Sequence, residues 1–266
     1  MPPRSSKFPA SLTCFGVGDG APCGDRNHSS YLYQWAGASI LFDCGEPVSR
    51  SFKATGLNYD TIDRIFLSHL HSDHVGGFFM LMQGFWLERR RKDLVVHLPA
   101  DAIAPIRGML KAAYLFEELF HFKLRFLPLS EGKAVAQGPL RITPHRTSHL
   151  DALRQSFQRK YPGDYAAYSF LIESDHQRIA HSADLGAPED LEPLLRKPVD
   201  LLVCELAHFD PGKLFRYLRG REIGRVLFIH VGRRHWERLA QTRRLATDLL
   251  RGIPFAFARD HQVIRL

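Results

Sequence analysis

Ser68-His69-Leu70-His71-Ser72-Asp73-His74-Val75-Gly76-Gly77 puts three histidines and an aspartate into one short stretch. The apolar run Ile62 to Leu67 leads into it and the apolar segment Phe78 to Leu87 leads out. The stretch therefore reads as a loop between a strand and a helix buried on one side. In an extended backbone alternate side chains share a face, which points His69, His71 and Asp73 one way and His74 another. Neutral imidazoles and carboxylates suit zinc, iron or manganese, and a catalytic site keeps one position open for water. One such loop can serve two adjacent ions, which at about 3.5–4 Å apart share a bridging hydroxide that is a nucleophile at neutral pH.

Two ions need more ligands than this loop offers, and further donors follow along the chain. His149 stands in Thr147-Ser148-His149-Leu150-Asp151, after the strand-like run Leu140 to His145. Asp184 follows the run Arg178 to Ser182, and His230 directly follows Val226 to Ile229. Each sits where a strand runs into a loop, the usual place for functional side chains on a layered scaffold. His145, a neighbour and rival of His149, reads as the end of its strand, and His28, His181 and His235 as structural. A ligating histidine needs its outer nitrogen held, and Asp43, at the end of the strand Ala38 to Asp43, is a suitable acceptor.

The rest of the chain alternates strands and helices. Leu12 to Gly16, Tyr31 to Trp35, Leu94 to Leu98, Phe122 to Leu127, Ala166 to Glu173, Leu201 to Cys204 and Gln262 to Arg265 read as strands. Pro47 to Thr55, Phe78 to Leu87, Lys213 to Arg219 and Trp236 to Arg251 read as helices, with Ala102 to Leu119 largely helical but broken near Pro105. Leu150 to Asp164 is the most loop-like stretch. Two strand-rich halves, each backed by helices, predict an α/β architecture, a four-layer αββα sandwich, forming a single domain over residues 1–266.

Composition bounds the rest. Hydrophobic residues are 45% and charged residues 24% of the 266, which argues against disorder. No run approaches the roughly 18 apolar residues of a membrane span, and Met1 to Ser11 lacks the apolar core of a secretory signal, so a cytoplasmic protein with no membrane partner is expected. The four cysteines, Cys14, Cys23, Cys44 and Cys204, form no C-x-x-C pair and read as reduced thiols. A net charge of +8 favours anionic partners. The basic runs Arg89 to Lys92 and Arg216 to Arg225 read as solvated faces at helix ends, whereas Arg233 and Arg234, just beyond His230, are placed to bind a substrate phosphate. The aromatics Phe78, Phe79, Phe85 and Trp86 read as core.

The spacing H-x-H-x-D-H, then a lone His, a lone Asp and a final His, resembles the metallo-β-lactamase superfamily over nearly the whole chain. Within it the chain looks most like the ribonuclease Z and phosphodiesterase branch. The similarity is carried by Phe15-Gly16-Val17-Gly18-Asp19-Gly20-Ala21-Pro22, Arg26 to Ser30, Leu41-Phe42-Asp43-Cys44-Gly45-Glu46 and Asp200-Leu201-Leu202-Val203-Cys204-Glu205. The resemblance implies that His69, His71 and His149 bind a first metal, that Asp73, His74 and His230 bind a second, and that Asp184 bridges them. It implies two divalent ions, zinc above manganese or iron. It further implies that His208, 22 residues before His230, contacts the scissile phosphate or acts as general acid, with Glu205 orienting it and Asp73 serving catalysis. Ribonuclease Z inserts a long arm that grips transfer RNA after the position matching His149; the 35 residues from His149 to Asp184 leave no room for it. The implied activity is a dinuclear phosphodiesterase using a metal-bridging hydroxide on RNA, a nucleotide or another phosphodiester, in a protein that dimerises. The competing expectations are an acyl hydrolase of the same fold (lactonase, thioesterase or β-lactamase-like) and a metal-containing nucleic-acid-binding protein without catalysis.

Overall fold

The computed structural model describes residues 10–266, so most of the stretch Met1 to Ser11 lies outside the described residues. In chain order it runs β1 (Ser11–Gly16), β2 (Ser30–Trp35), β3 (Ala38–Phe42), α1 (Val48–Ala54), β4 (Arg64–Phe66), α2 (Ser72–Val75), α3 (Phe78–Leu87), β5 (Leu94–Leu98), α4 (Ile103–Ala112), β6 (Leu124–Pro128), β7 (Val135–Gln137) and β8 (Leu140–Thr147). There follow α5 (Asp151–Phe157), β9 (Ala167–Glu173), β10 (Arg178–His181), β11 (Leu201–Leu206), α6 (Pro211–Leu218), β12 (Val226–Val231), α7 (Arg233–Glu237), α8 (Leu239–Leu250), β13 (Phe255–Phe257) and β14 (Gln262–Arg265).

The strands form two seven-stranded sheets, ordered β14-β1-β2-β3-β4-β5-β6 and β13-β12-β11-β10-β9-β8-β7. Three apolar clusters make this the αββα sandwich. Between the sheets, Tyr33, Ile40, Phe42 and Phe66 meet Phe170, Ile172, Val203 and Ile229. On the outer face of the first sheet, Leu41, Ile65 and Val96 pack on Phe52 of α1, Phe78 and Phe85 of α3 and Ile106 of α4. On the outer face of the second, Ala180, Leu202, Cys204 and Phe228 pack on Leu214 and Phe215 of α6 and Leu250 of α8. Adjacent residues such as Leu41 and Phe42 thus serve different cores, because a strand alternates faces. A sheet covered on both faces reads as continuous apolar runs, which is why these strands stand out in the sequence.

β3 to β6 run parallel, as do β10 to β13. In open α/β sheets ligands bind outside the carboxyl ends of such strands, and the loops after β3, β4, β10 and β11 carry Asp43, His69, Asp184 and His208, while His149 follows the antiparallel β8.

Several expectations are corrected. Leu150 to Asp164 is not loop throughout, since α5 occupies Asp151–Phe157; none of its residues is buried, so no apolar stripe marked it. Pro105 does not break α4, because it lies in the first turn, where its missing N–H has no helical acceptor to lose. The C-terminal helix is two, α7 and α8, split at Arg238. β8 passes His145 and ends at Thr147, and β12 contains His230 rather than ending before it. Within the basic run Arg89 to Lys92, Arg90 is only 1% exposed. Its guanidinium donates to the carbonyls of Tyr59, Ile62 and Asp93 and lies against the Phe85 and Phe122 rings. Among the described residues, no helix is long and apolar enough to cross a membrane.

Candidate metal centre

β4 delivers the histidine loop to the rim. The backbone stays extended to His71 (ψ 146°) and then coils into the single turn α2. That turn replaces the extended alternation expected over Asp73. It sets Asp73 and His74 side by side, with Asp73 Oδ2 3.4 Å from His74 Nε2. Three donor groups result, the smallest being Asp184, Glu205 and His208, and two of them have four members. His69, His71, His149 and Asp184 could hold one ion, and Asp73, His74, Asp184 and His230 another, the donor atoms within each set lying within 4.8 Å of one another. Asp184 is common to both. Its Oδ2 lies 3.8 Å from His69 Nε2, 3.6 Å from His149 Nε2 and 3.5 Å from His230 Nε2. Its Oδ1 lies 3.2 Å from His74 Nε2.

His230 owes its position to an irregularity. The pairing of β11 with β12 shifts register between Glu205 and Leu206, leaving His230 as the extra residue, in the left-handed region at φ 43°. A bulge of this kind re-aims a side chain at the end of a strand, and a non-glycine residue in that region is held there by its surroundings.

The outer nitrogens are fixed in turn. Asp43 Oδ2 accepts from His74 Nδ1 at 2.7 Å and from Ser68 Oγ at 2.9 Å, while its Oδ1 accepts from Ser68 N–H at 2.8 Å. Ser68 Oγ is 3.0 Å from His69 Nδ1, and Ser29 Oγ is 2.9 Å from His230 Nδ1. Glu205, fully buried, accepts from the backbone N–H of Leu185 and Ala207 and pairs with His208 Nδ1 at 2.8 Å. It thereby ties His208 to the residue after Asp184. His208 Nε2 reaches to 3.7 Å from Asp184 Oδ2 while its side chain is 33% exposed, more open than His69, Asp73, His74, His149, Asp184 and His230.

Burial pushes His69 well below the usual imidazole value and His149 down to about 4, so both rings present lone pairs. Burial would raise the Asp184 carboxyl, but the charges of His230 and His74 outweigh it and hold it well below the carboxylate range. Burial likewise opposes charge on His74, yet Asp184 and Asp43 on either side raise it well above its ordinary value. Burial also opposes charge on His208, and the hydrogen bond and charge of Glu205 override it, raising His208 to about 9.

A pair of cations fits this donor set. His69 Nε2, His74 Nε2 and Asp184 Oδ1 are buried without a hydrogen-bond partner, and such groups are rare unless something else satisfies them. They converge on one another, with the neutral His69 ring and a buried carboxylate oxygen both left without a partner, an arrangement that a cation between them would satisfy. His71 Nδ1 and His149 Nε2, 3.1 Å apart, add to the same demand.

Other candidates lie elsewhere. Arg233 donates from Nη2 to the Pro22 carbonyl and from its backbone to Asp19, and Arg234 is exposed on α7; neither is among the converging groups. His145 pairs with Glu131. His181 meets the Tyr33 hydroxyl inside the inter-sheet core. The sequence reading missed Ser29, Ser68 and Asp190. Asp190 Oδ2 accepts from Ser148 N–H, Ser148 Oγ and Gly186 N–H, clamping the His149 loop to the Asp184 loop. Ser148 beside His149 was the available signal; Asp190 itself looks like any turn acid.

Comparison with known proteins agrees with this geometry. The family described as Anti-Pycsar protein Apyc1 matches residues 10–211. A ribonuclease Z of Archaeoglobus fulgidus is 30% identical over 139 residues, covering 52% of this chain and 44% of that protein. The chain thus spans under half the length of that relative. The metallo-beta-lactamase fold protein YhfI from Bacillus subtilis superposes with a TM-score of 0.77 at 20% identity, over 97% of this chain and 99% of that one. The short form of human tRNase Z gives 0.71 at 18% identity, over 96% and 98%.

Proposed function

Because the chain belongs to the family of the anti-Pycsar protein Apyc1, within the metallo-β-lactamase superfamily, we propose that it is a dinuclear metal-dependent phosphodiesterase. The observation that carries this reading is the pair of donor sets sharing Asp184, with buried nitrogens and a carboxylate oxygen left unpartnered at their centre. His69, His71 and His149 would hold one ion and Asp73, His74 and His230 the other, with Asp184 between them. Imidazole and carboxylate donors in these numbers suit zinc first, then manganese or iron. Bound there, two divalent cations supply a nucleophile at neutral pH and neutralise charge developing on phosphoryl oxygens.

The chain's own contribution beyond ligation is His208. Glu205 holds its Nδ1 and fixes the ring, keeping the imidazole cationic through neutral pH. Its exposed Nε2, beside Asp184, can donate to a phosphoryl oxygen or protonate a leaving alkoxide. The span from His149 to Asp184 is filled by α5, β9 and β10, leaving no arm for gripping transfer RNA, so a small nucleotide or a nucleic-acid end is the fitting substrate.

Hydrolysis of bis-p-nitrophenyl phosphate, with metal content read on the same sample, tests this. Cleavage with about two metals per chain, abolished in Asp73→Ala and reduced about 10²–10⁴-fold in His208→Ala, is expected. Two bound metals without cleavage would sink the reading and turn attention to lactones and thioesters.

A further inference from the structure

A cleft of about 320 Å³ is lined among others by Leu70, Leu150, Pro99, Pro105, Tyr161 and Tyr165, two of them sequence neighbours of metal-centre histidines. It adjoins the centre through the chain itself: Leu70 separates His69 from His71, and Leu150 follows His149. Its walls leave apolar surface uncovered, with Leu70 36% and Tyr161 58% exposed. Uncovered apolar surface next to a polar centre marks a ligand site more often than a defect.

The wall is also braced. Asp101 Oδ2 accepts from the Asp164 N–H at 2.8 Å, tying the 158–166 loop to the turn that begins α4. The Tyr165 hydroxyl donates to the Tyr161 carbonyl at 2.7 Å, and Tyr165 sits at φ 49°. Pro162 stiffens the same turn. Lys160 Nζ lies over the Tyr161 ring, 5.2 Å from its centre, so one face of the ring already carries a cation and the other is the one available to a ligand. A braced loop presents Tyr161 with little ordering left to do on binding.

We propose that this cleft receives one nucleobase of the substrate, with Tyr161 as the stacking platform and Asp101 and Tyr165 as positioning residues. This rests on the phosphodiesterase reading, because the occupant must be joined to a phosphorus at the metal centre. A nucleobase is flat, offers a π-face to an exposed tyrosine and brings an anion to a chain of net charge +8. The volume admits a single base with its sugar and not a folded RNA, in keeping with the missing arm.

The test is calorimetric titration of the metal-loaded protein with a nucleoside 5′-monophosphate and, separately, with inorganic phosphate. The nucleotide binds the native protein roughly ten- to a hundredfold more tightly than phosphate, the range of one base–aromatic stack. Tyr161→Ala loses that advantage, Tyr161→Phe keeps it, and inorganic phosphate binds all three alike; melting curves confirm that each is folded. A nucleotide no tighter than phosphate, or an advantage that survives Tyr161→Ala, overturns the assignment. Bis-p-nitrophenyl phosphate hydrolysis on the same preparations keeps the two questions apart. No cleavage with intact base-dependent binding refutes the phosphodiesterase reading alone, and cleavage without base-dependent binding refutes the cleft alone.

Discussion

Asp43 stands at φ 56°, a conformation that aspartate and asparagine tolerate better than most residues. From there its two oxygens gather the Ser68 backbone, the Ser68 hydroxyl and His74 Nδ1. Such partners set the ring orientation and basicity of a ligating histidine. Asp43→Asn keeps the backbone preference and removes one acceptor and the charge. It lowers metal affinity about 10–100-fold, read by competition with a chromophoric chelator, while secondary structure stays as it was; unchanged affinity would show that Ser68 alone orients the ring. His97 makes a different residue-scale case. It stacks on Phe66 with centroids 4.6 Å apart and takes a contact from Arg64 Nη1 at 3.0 Å. Burial and then the Arg64 charge push it down to about 4. Its folded pKa lies below the unfolded value of about 6.5, so the unfolded chain takes the proton first. The stability it contributes is complete above about pH 6.5 and is lost as pH falls towards 4. Denaturant titrations from pH 7 to 4 therefore show a smaller loss in His97→Gln than in the native protein, by up to about 3 kcal/mol. Equal slopes would place the acid sensitivity elsewhere.

At the scale of elements, most of the donors were legible because they fall at the end of an apolar run, which a strand buried on both faces leaves in the sequence; His149 follows the alternating β8 instead. The rest was hidden for identifiable reasons. α5 buries no side chain and so carries no periodic stripe. β7 and β13 are three-residue edge strands, too short for alternation to register. The bulge at His230 follows from how β12 pairs with β11, and no local residue preference announces it. The close approach of β3's end to α2 is also tertiary. Gly45 lies so near the Asp73 carbonyl that a Cβ there would overlap it, and the Cys44 N–H donates to the His74 carbonyl at 2.6 Å. Gly45→Ala must therefore push α2 away from the rim, moving Asp73 and His74 together. Since displacements near 1 Å can cost about 10²-fold in rate, this variant should lose at least that much phosphodiesterase activity together with metal from the second donor set. Retention of both would mean that α2 can shift without moving its ligands.

Over the whole molecule the donors come from four separate stretches of chain and from both sheets, and His69 and His230 are 161 residues apart. Each sheet has its own outer core, and the two share an inner one, so the rim takes shape only once all three have packed. An ion held there crosslinks distant loops, but it meets its full donor set only after those loops have been closed by other means. Interactions absent from the folding transition state slow unfolding and leave the folding rate unchanged. Refolding should accordingly proceed at the same rate with or without metal, and the unfolding rate should fall as free metal rises, by about a hundredfold when the ion stands at a hundred times its dissociation constant. Refolding accelerated by metal would instead put the centre in the folding nucleus. In a cell short of metal, the chain would still reach its native shape but would keep it for less time, so starvation would register as faster turnover of finished protein and not as a failure to make it.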